Sequence, residues 1–425
     1  MRRSKYLVWP FFLLIWGLFT STTPSSASIL AGPCLQNPET HQITVCWLSD
    51  RPEKGLVLYG KNLALRAPGG TGQFVAPIKA YFHAIKLVRL KPAASYPYRV
   101  VSGADTSAVF SFRTAPPRGT PVSFLAISDA QQKPDLPSTA RTIARTVHPD
   151  LILFSGDLIN NPRRAADWFG GQRSFFDIFA GDQGARLLQS VPIFPTIGNH
   201  EYGEQDRAGP YRDERRNLSV YTALFVLPGN ERYYSHDFGN VHFVHLNVAR
   251  LWRLKPARQP RWPLGDSIEK GSTQYRWLEH DLARNRLPWV VVSLHHPIFG
   301  MGTNARPPYC VPRRGPDGTY HYDRDVLYDQ LRPLIEKYRV SLVIWGHNHV
   351  YEHYRLNGID YVESSCIGNT YGLRKTEAHG LKPVYQNIQD RSFTLVRAGR
   401  DKMTVTVYRV PDGAVLERFE IPRRK

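Results

Sequence analysis

Several common signatures are missing from this chain. Only 4 of its 425 residues are cysteine, so at most two internal bridges could form, with three possible connectivities. No stretch beyond Phe19 could cross a bilayer, which needs ~20 consecutive apolar residues. There is no internal repeat and no low-complexity segment. Acidic side chains are scarce: Asp and Glu number 36 against 55 Lys and Arg, a formal net charge of +19. The arginines are dispersed and no aromatic patch is interleaved with them. That argues against a dedicated nucleic-acid groove and for a solvated basic surface that attracts anionic substrates. One denser basic stretch, Arg250, Arg253, Lys255, Arg258 and Arg261, falls in a Pro-rich insertion and is a candidate substrate-facing or surface-binding loop.

The first residues read as an export signal over 1–27. Arg2, Arg3 and Lys5 supply the charged start, Tyr6 to Phe19 a short apolar core, and Ser25-Ser26-Ala27 a cleavage site. The mature chain is then expected to be secreted or periplasmic, without a membrane span. Such a compartment permits disulfides. Cys34 and Cys46 flank the turn residues Pro38 to Gln42 symmetrically and could face each other across a hairpin. Cys310 and Cys366 could pair above a site. Free buried thiols are the alternative for both pairs.

Length favours two domains, and 32 Gly with 33 Pro favour loops over helical bundles. From Ser28 to Thr114, short β-rich runs separated by Gly, Pro, Asn and Asp predict a small β-sandwich. Pro97 is expected to push the Tyr98 strand to an edge or a bulged start. Residues 115–121 read as a stiff Pro-rich linker. From 122 to 425, strands alternate with helix patterns, an α/β signal. Leu327, Leu331, Leu334, Ile335 and Tyr338 form one helical stripe, and Tyr275, Leu278 and Leu282 another, behind the candidate caps Ser272 and Thr273. Hairpin turns are expected at Gly239-Asn240, at Gly399 and at Asp412-Gly413.

Five polar clusters carry the chemistry: Asp129-Ala-Gln131, Gly156-Asp157-Leu-Ile-Asn160, Gly198-Asn199-His200-Glu201, Leu294-His295-His296-Pro297 and Gly346-His347-Asn348-His349. Each follows or terminates an apolar run that reads as a buried strand, so each lies at a strand's carboxyl end, where open α/β sheets build sites. Asp, Asn and His together suit a hard-to-borderline metal cation. His347 and His349, two apart in extended chain, would point the same way. Asp157 could bridge two cations with its two oxygens.

With those motifs in that order, the chain resembles the calcineurin-like metallophosphoesterase superfamily. Within it, the chain is similar to purple acid phosphatases with an N-terminal fibronectin type III-like domain. The stretch Leu90 to Val100, which resembles a tyrosine-bearing corner, and the Tyr233-to-Phe243 hairpin add to the likeness. The resemblance implies an α/β (α+β) metallophosphoesterase sandwich, two mixed β-sheets flanked by helices, preceded by a small all-β sandwich. It implies two divalent metal ions (Fe, Mn or Zn). Asp129, Asp157 and His349 would hold one; Asp157, Asn199, His295 and His347 would hold the other. His200, oriented by Glu201, and His296 would face a small phosphate-ester substrate. The implied activity is phosphomonoester hydrolysis by metal-activated hydroxide. A phosphodiesterase or nucleotidase of the same fold, and a non-catalytic phosphate- or surface-binding protein, are the alternatives. Two positions depart from the family pattern. The usual His of the first motif is Gln131, and the iron-binding Tyr of purple acid phosphatases is Asn160, so each could offer only a carboxamide oxygen. Tyr202 is the one nearby phenol that could replace the missing ligand.

Overall fold

A computed structural model describes residues 28–203, 214–248, 266–302 and 325–424, apart from 365, 374 and 376–378, together with 313–314, 316 and 320–321. Residues 1–27, expected to be an export signal, the basic insertion at 250–261 and Cys310 lie outside the described residues. Among the described residues, no helix is long and apolar enough to cross a membrane.

Two sheets face each other in the larger part of the molecule. In one, the parallel strands Val122–Ile127, Leu151–Phe154 and Ile193–Pro195 are extended by the antiparallel tail strands Ser392–Ala398, Lys402–Arg409 and Val415–Pro422. In the other, Val241–His245, Trp289–Ser293, Leu342–Trp345 and Ile359–Glu363 run parallel. Tyr234–Phe238, Tyr351–Leu356 and Tyr385–Asn387 flank them. Every residue of Leu151–Phe154, Trp289–Ser293 and Leu342–Trp345 is buried, as expected of parallel strands covered on both faces. The sheets meet through rings such as Phe124 on Phe243, edge to face with centroids 5.0 Å apart. Helix Thr273–Arg284 follows Ser272, whose hydroxyl accepts from the Tyr275 N–H at 3.2 Å, and it buries Tyr275, Leu278 and Leu282. The second helical stripe forms a π-helical stretch at Leu327–Leu331 that continues into the α-helix Arg332–Lys337.

The region 29–113 is all β apart from two short 3-10 turns. Leu35, Val45, Trp47, Val57, Tyr98, Val100 and Phe112 form its own core. Strand Ser95–Ser102 pairs with Lys54–Tyr59 on one side and with Phe110–Arg113 on the other. It is therefore interior, which corrects the expectation of an edge strand at Pro97. Pairing to Lys54–Tyr59 begins at Tyr98, so Pro97, which has no N–H, lies just outside that ladder. Cys34 and Cys46 do oppose each other in register, but as free buried thiols.

This region and the larger part share one sheet. Strand Ile29–Gln36 runs parallel to Ile193–Pro195, with Gln36 opposite Ile193. Around that junction the Gln36 carboxamide donates to the Leu224 carbonyl (2.9 Å) and accepts from the Val226 N–H (2.6 Å). The Tyr98 hydroxyl donates to the Gln189 carbonyl (2.8 Å). The stretch 115–121 is tethered as well, with the Gly119 N–H on the Gly239 carbonyl at 2.9 Å.

Candidate metal centre

All five clusters leave the carboxyl ends of parallel strands and meet in one buried place. The turns that deliver them are tight. Asp129, Gln131, Asp157, His347 and His349 all have positive φ, between 46° and 79°. Non-glycine residues seldom adopt this conformation, and it tends to gather at functional sites. The expected mechanism for His347 and His349 is therefore corrected: the two rings are aimed by left-handed backbone and not by extended alternation. Two glycines allow the loops to close. A Cβ on Gly346 would lie 2.6 Å from Asp129 Oδ2, and one on Gly198 would collide with Asp157 Oδ1.

His295 decides how one half of the centre works. Its Nδ1 lies 2.7 Å from the Ser155 carbonyl oxygen, which can only accept, so Nδ1 carries the hydrogen. Nε2, the nitrogen left for a bound cation, lies 3.0 Å from Asn199 Oδ1 and 3.2 Å from Asp157 Oδ2. Asn199 Oδ1 is also 3.0 Å from His347 Nδ1. Ligand atoms of Asp157, His295 and His347 lie within 4.8 Å of one another. Buried acceptor atoms need a proton or a metal cation between them, and without a metal the His295 proton serves. Burial alone would lower the His295 pKa, but Asp157 outweighs it and lifts it to about 9. Burial likewise works against an ionised Asp157, yet His200 and His295 hold its carboxyl well below the usual range.

The other half repeats the pattern around His349. Its Nδ1 faces the Asn369 carbonyl oxygen at 3.0 Å, and its Nε2, the nitrogen left for a bound cation, lies 3.3 Å from Asp129 Oδ1. That carboxylate oxygen is buried and has no hydrogen-bond partner. The donor set fits a hard-to-borderline divalent cation in each half.

A family model for calcineurin-like phosphoesterases matches residues 122–351. The chain belongs to the calcineurin-like phosphoesterase family. It is 29% identical over 341 residues to acid phosphatase type 7 of Mus musculus, covering 74% of this chain and 68% of the mouse protein. It is 29% identical over 194 residues to probable inactive purple acid phosphatase 9 of Arabidopsis thaliana, covering 40% of this chain and 25% of the plant protein. The purple acid phosphatase PPD1 from yellow lupin (Lupinus luteus) seeds superposes with a TM-score of 0.70 at 20% identity, covering 92% of this chain and 74% of that one. The fold is that of a metallophosphoesterase, with a β-rich region ahead of it.

Within this phosphoesterase fold, four residues singled out in the sequence take positions the sequence does not suggest. Glu201 makes no hydrogen bond to the His200 ring. Its carboxylate accepts from the N–H groups of Gly198 (2.7 Å), Asp157 (3.0 Å) and Leu158 (2.8 Å), and so ties the third motif to the second. Burial and the Asp157 charge raise its pKa to about 7. His296 is fully enclosed, with its ring 4.3 Å from that of His347, and burial pushes its pKa down to about 3. Gln131 presents its amide nitrogen to Asp157 Oδ2 at 2.9 Å. Asn160 donates from its side chain to the Gln131 carbonyl at 2.8 Å.

His200 is placed differently again. Nδ1 donates to the Asn160 carbonyl (3.0 Å), and Nε2 lies 3.7 Å from Asp157 Oδ2. The Tyr202 hydroxyl accepts from the Asn247 side chain at 2.7 Å. Sequence reasoning missed Asn369 and Glu363. The Glu363 carboxylate accepts from both the backbone and the side chain of Asn348 (2.9 and 2.8 Å), bracing the loop between the two histidines. Neither residue belongs to a local motif, so no sequence signal marked them.

Proposed function

We propose that this protein is an exported binuclear metallophosphatase that hydrolyses phosphomonoesters. One observation carries the reading. His295 Nε2, Asp157 Oδ2 and Asn199 Oδ1 converge in a buried place and, with His347, form a donor set that suits a cation. Asp129, Asp157 and His349 would hold one divalent ion; Asp157, Asn199, His295 and His347 would hold the other. When bound, the two ions would supply positive charge to the phosphoryl oxygens and acidify water. The protein's own groups do the rest. The Ser155 and Asn369 carbonyls fix the tautomers of His295 and His349, and Glu201 holds the Asp157 loop in register. His200 is held through Nδ1 by the Asn160 carbonyl, which leaves Nε2 to steady a phosphoryl oxygen or to protonate the leaving alkoxide. His296 supports His347 by ring packing.

In this reading residues 1–27 are an export signal and 28–114 a fibronectin type III-like domain. The second assignment is supported by Tyr96, whose hydroxyl accepts from the Lys91 N–H at 2.8 Å, the arrangement of a tyrosine corner. Residues 115–121 link it to the phosphoesterase domain at 122–425. A non-catalytic phosphate-binding protein is the second reading, favoured by the orientation of Gln131 and Asn160 as donors and by the relative named as probably inactive. Turnover of an aryl phosphate and an aryl phosphodiester, with and without added Mn²⁺, Zn²⁺ or Fe²⁺, separates them. Metal-dependent monoester hydrolysis is expected, and no turnover with any ion would leave the binding protein.

A further inference from the structure

Four atoms surround the sulfur of Cys366. The thiol donates to the Asp129 carbonyl at 3.3 Å and accepts from the N–H groups of Gly368 (3.3 Å) and Asn369 (3.2 Å). His349 Nδ1 is also 3.3 Å away. The residue is buried and is bridged to Ser128, with the Ile367 N–H on the Ser128 carbonyl at 3.2 Å. One side chain therefore touches the backbone of one candidate ligand and the ring of another. A separate observation points to a cation beside it: Asp129 Oδ1 is buried, has no hydrogen-bond partner and lies 3.3 Å from His349 Nε2. The sulfur lies at Nδ1, whereas Nε2 faces Asp129, so Cys366 supports the ring instead of binding the ion.

We infer that Cys366 is a positioning residue for the first half-site. It fixes the His349 ring and the Asp129 backbone together for a cation, at a half-site where Gln131 and Asn160 replace stronger ligands. This rests on the binuclear reading above. Sulfur suits the position because it is a weak donor and a weak acceptor on a small apolar side chain, so it can meet four partners at long range without a desolvation penalty. Residues that hold a metal-binding histidine from behind typically contribute 10–100-fold to metal affinity.

Calorimetric titration of the metal-free full chain with Mn²⁺ or Co²⁺ tests the idea. Wild type should show two binding steps. Cys366→Ala should weaken one step by about 10–100-fold, spare the other, and leave the thermal midpoint of the metal-free protein near wild type. Cys366→Ser, which keeps a donor and an acceptor, should recover much of the loss. Cys366→Val, which fills the space without polar contacts, should behave like the alanine variant and replaces it if that fails to fold. Unchanged affinity in both apolar variants overturns the proposal, as does equal weakening of both steps with a lower midpoint. A wild-type chain that binds one ion or none overturns the binuclear reading, and this proposal with it.

Discussion

Around His295, four side chains bring nitrogen and oxygen atoms close together: Asp157, Asn199, His347 and His295 itself. Around His349, Asp129 supplies a carboxylate and Cys366 a thiol, while Gln131 and Asn160 turn N–H groups, not oxygen atoms, toward Asp157 and the Gln131 carbonyl. In the proposed binuclear reading the two half-sites share Asp157 and otherwise differ in the number and charge of their ligands. The second half is closed by side chains directed inward. The first depends on an outer ring, Asn369 and Cys366, that keeps few ligands well placed. A third arrangement sharpens the contrast. His242 sits between Asp237 and Asp281, 2.7 and 2.8 Å from its two nitrogens, so both can donate. A histidine in a structural ion pair looks like that. His295 and His349 also have oxygen atoms on both sides, but their carboxylate partners, Asp157 and Asp129, belong to the strand-end clusters that meet in one place.

Removing the shared ligand should have the largest effect. Asp157→Ala is expected to empty both halves and lower kcat by at least ~10³, read by metal analysis alongside turnover. Retention of one full equivalent of metal would show that the halves are independent. Next in size, His200→Ala should slow esters with poor leaving groups by ~10²–10⁴ while sparing activated aryl phosphates. Equal losses for both substrates would mean that the ring only orients the phosphate.

The third prediction concerns the weaker half alone. Iron-loaded wild type should be colourless in the visible, because Asn160 cannot donate charge to ferric iron and the Tyr202 hydroxyl is engaged by Asn247. Asn160→Tyr should add a visible charge-transfer band and tighten the first ion. A coloured wild type whose band disappears in Tyr202→Phe would reverse the assignment.

The smallest effect should lie outside the centre. Burial disfavours a charged His242, but Asp237 and Asp281 more than offset it and raise its pKa to about 9. With an unfolded value near ~6.5, the stabilisation is complete below that pH and is lost as pH rises through about 9. His242→Gln should flatten the pH dependence of thermal stability in that window without altering metal content.

Much of this was legible in the sequence, because strand-end clusters and apolar runs are local patterns. The hairpin at Gly239-Asn240, the helix capped by Ser272 and the tail strands all appear where those patterns place them. What escaped depends on partners far apart in the chain. Glu201 could be seen to follow His200, but not to accept three backbone N–H groups. Asn160 could be seen to lack a phenol, but not to point at Gln131. Cys366 was visible as a thiol with a candidate disulfide mate. Its contact with His349 arises only when strand Ile359–Glu363 lies beside Leu342–Trp345. Pro97 misled because a ladder can begin one residue later on the side where its N–H is missing.

Strand Ile29–Gln36 covers what would otherwise be the open flank of Ile193–Pro195. A truncation starting at residue 115 would leave that flank with unsatisfied N–H and C=O groups in an apolar setting, an invitation to pair with another molecule. It would also remove Gln36 from the Leu224 carbonyl and the Val226 N–H. The isolated larger part should accordingly aggregate on expression, and anyone fusing or shortening this protein should keep strand Ile29–Gln36 attached as its built-in edge guard.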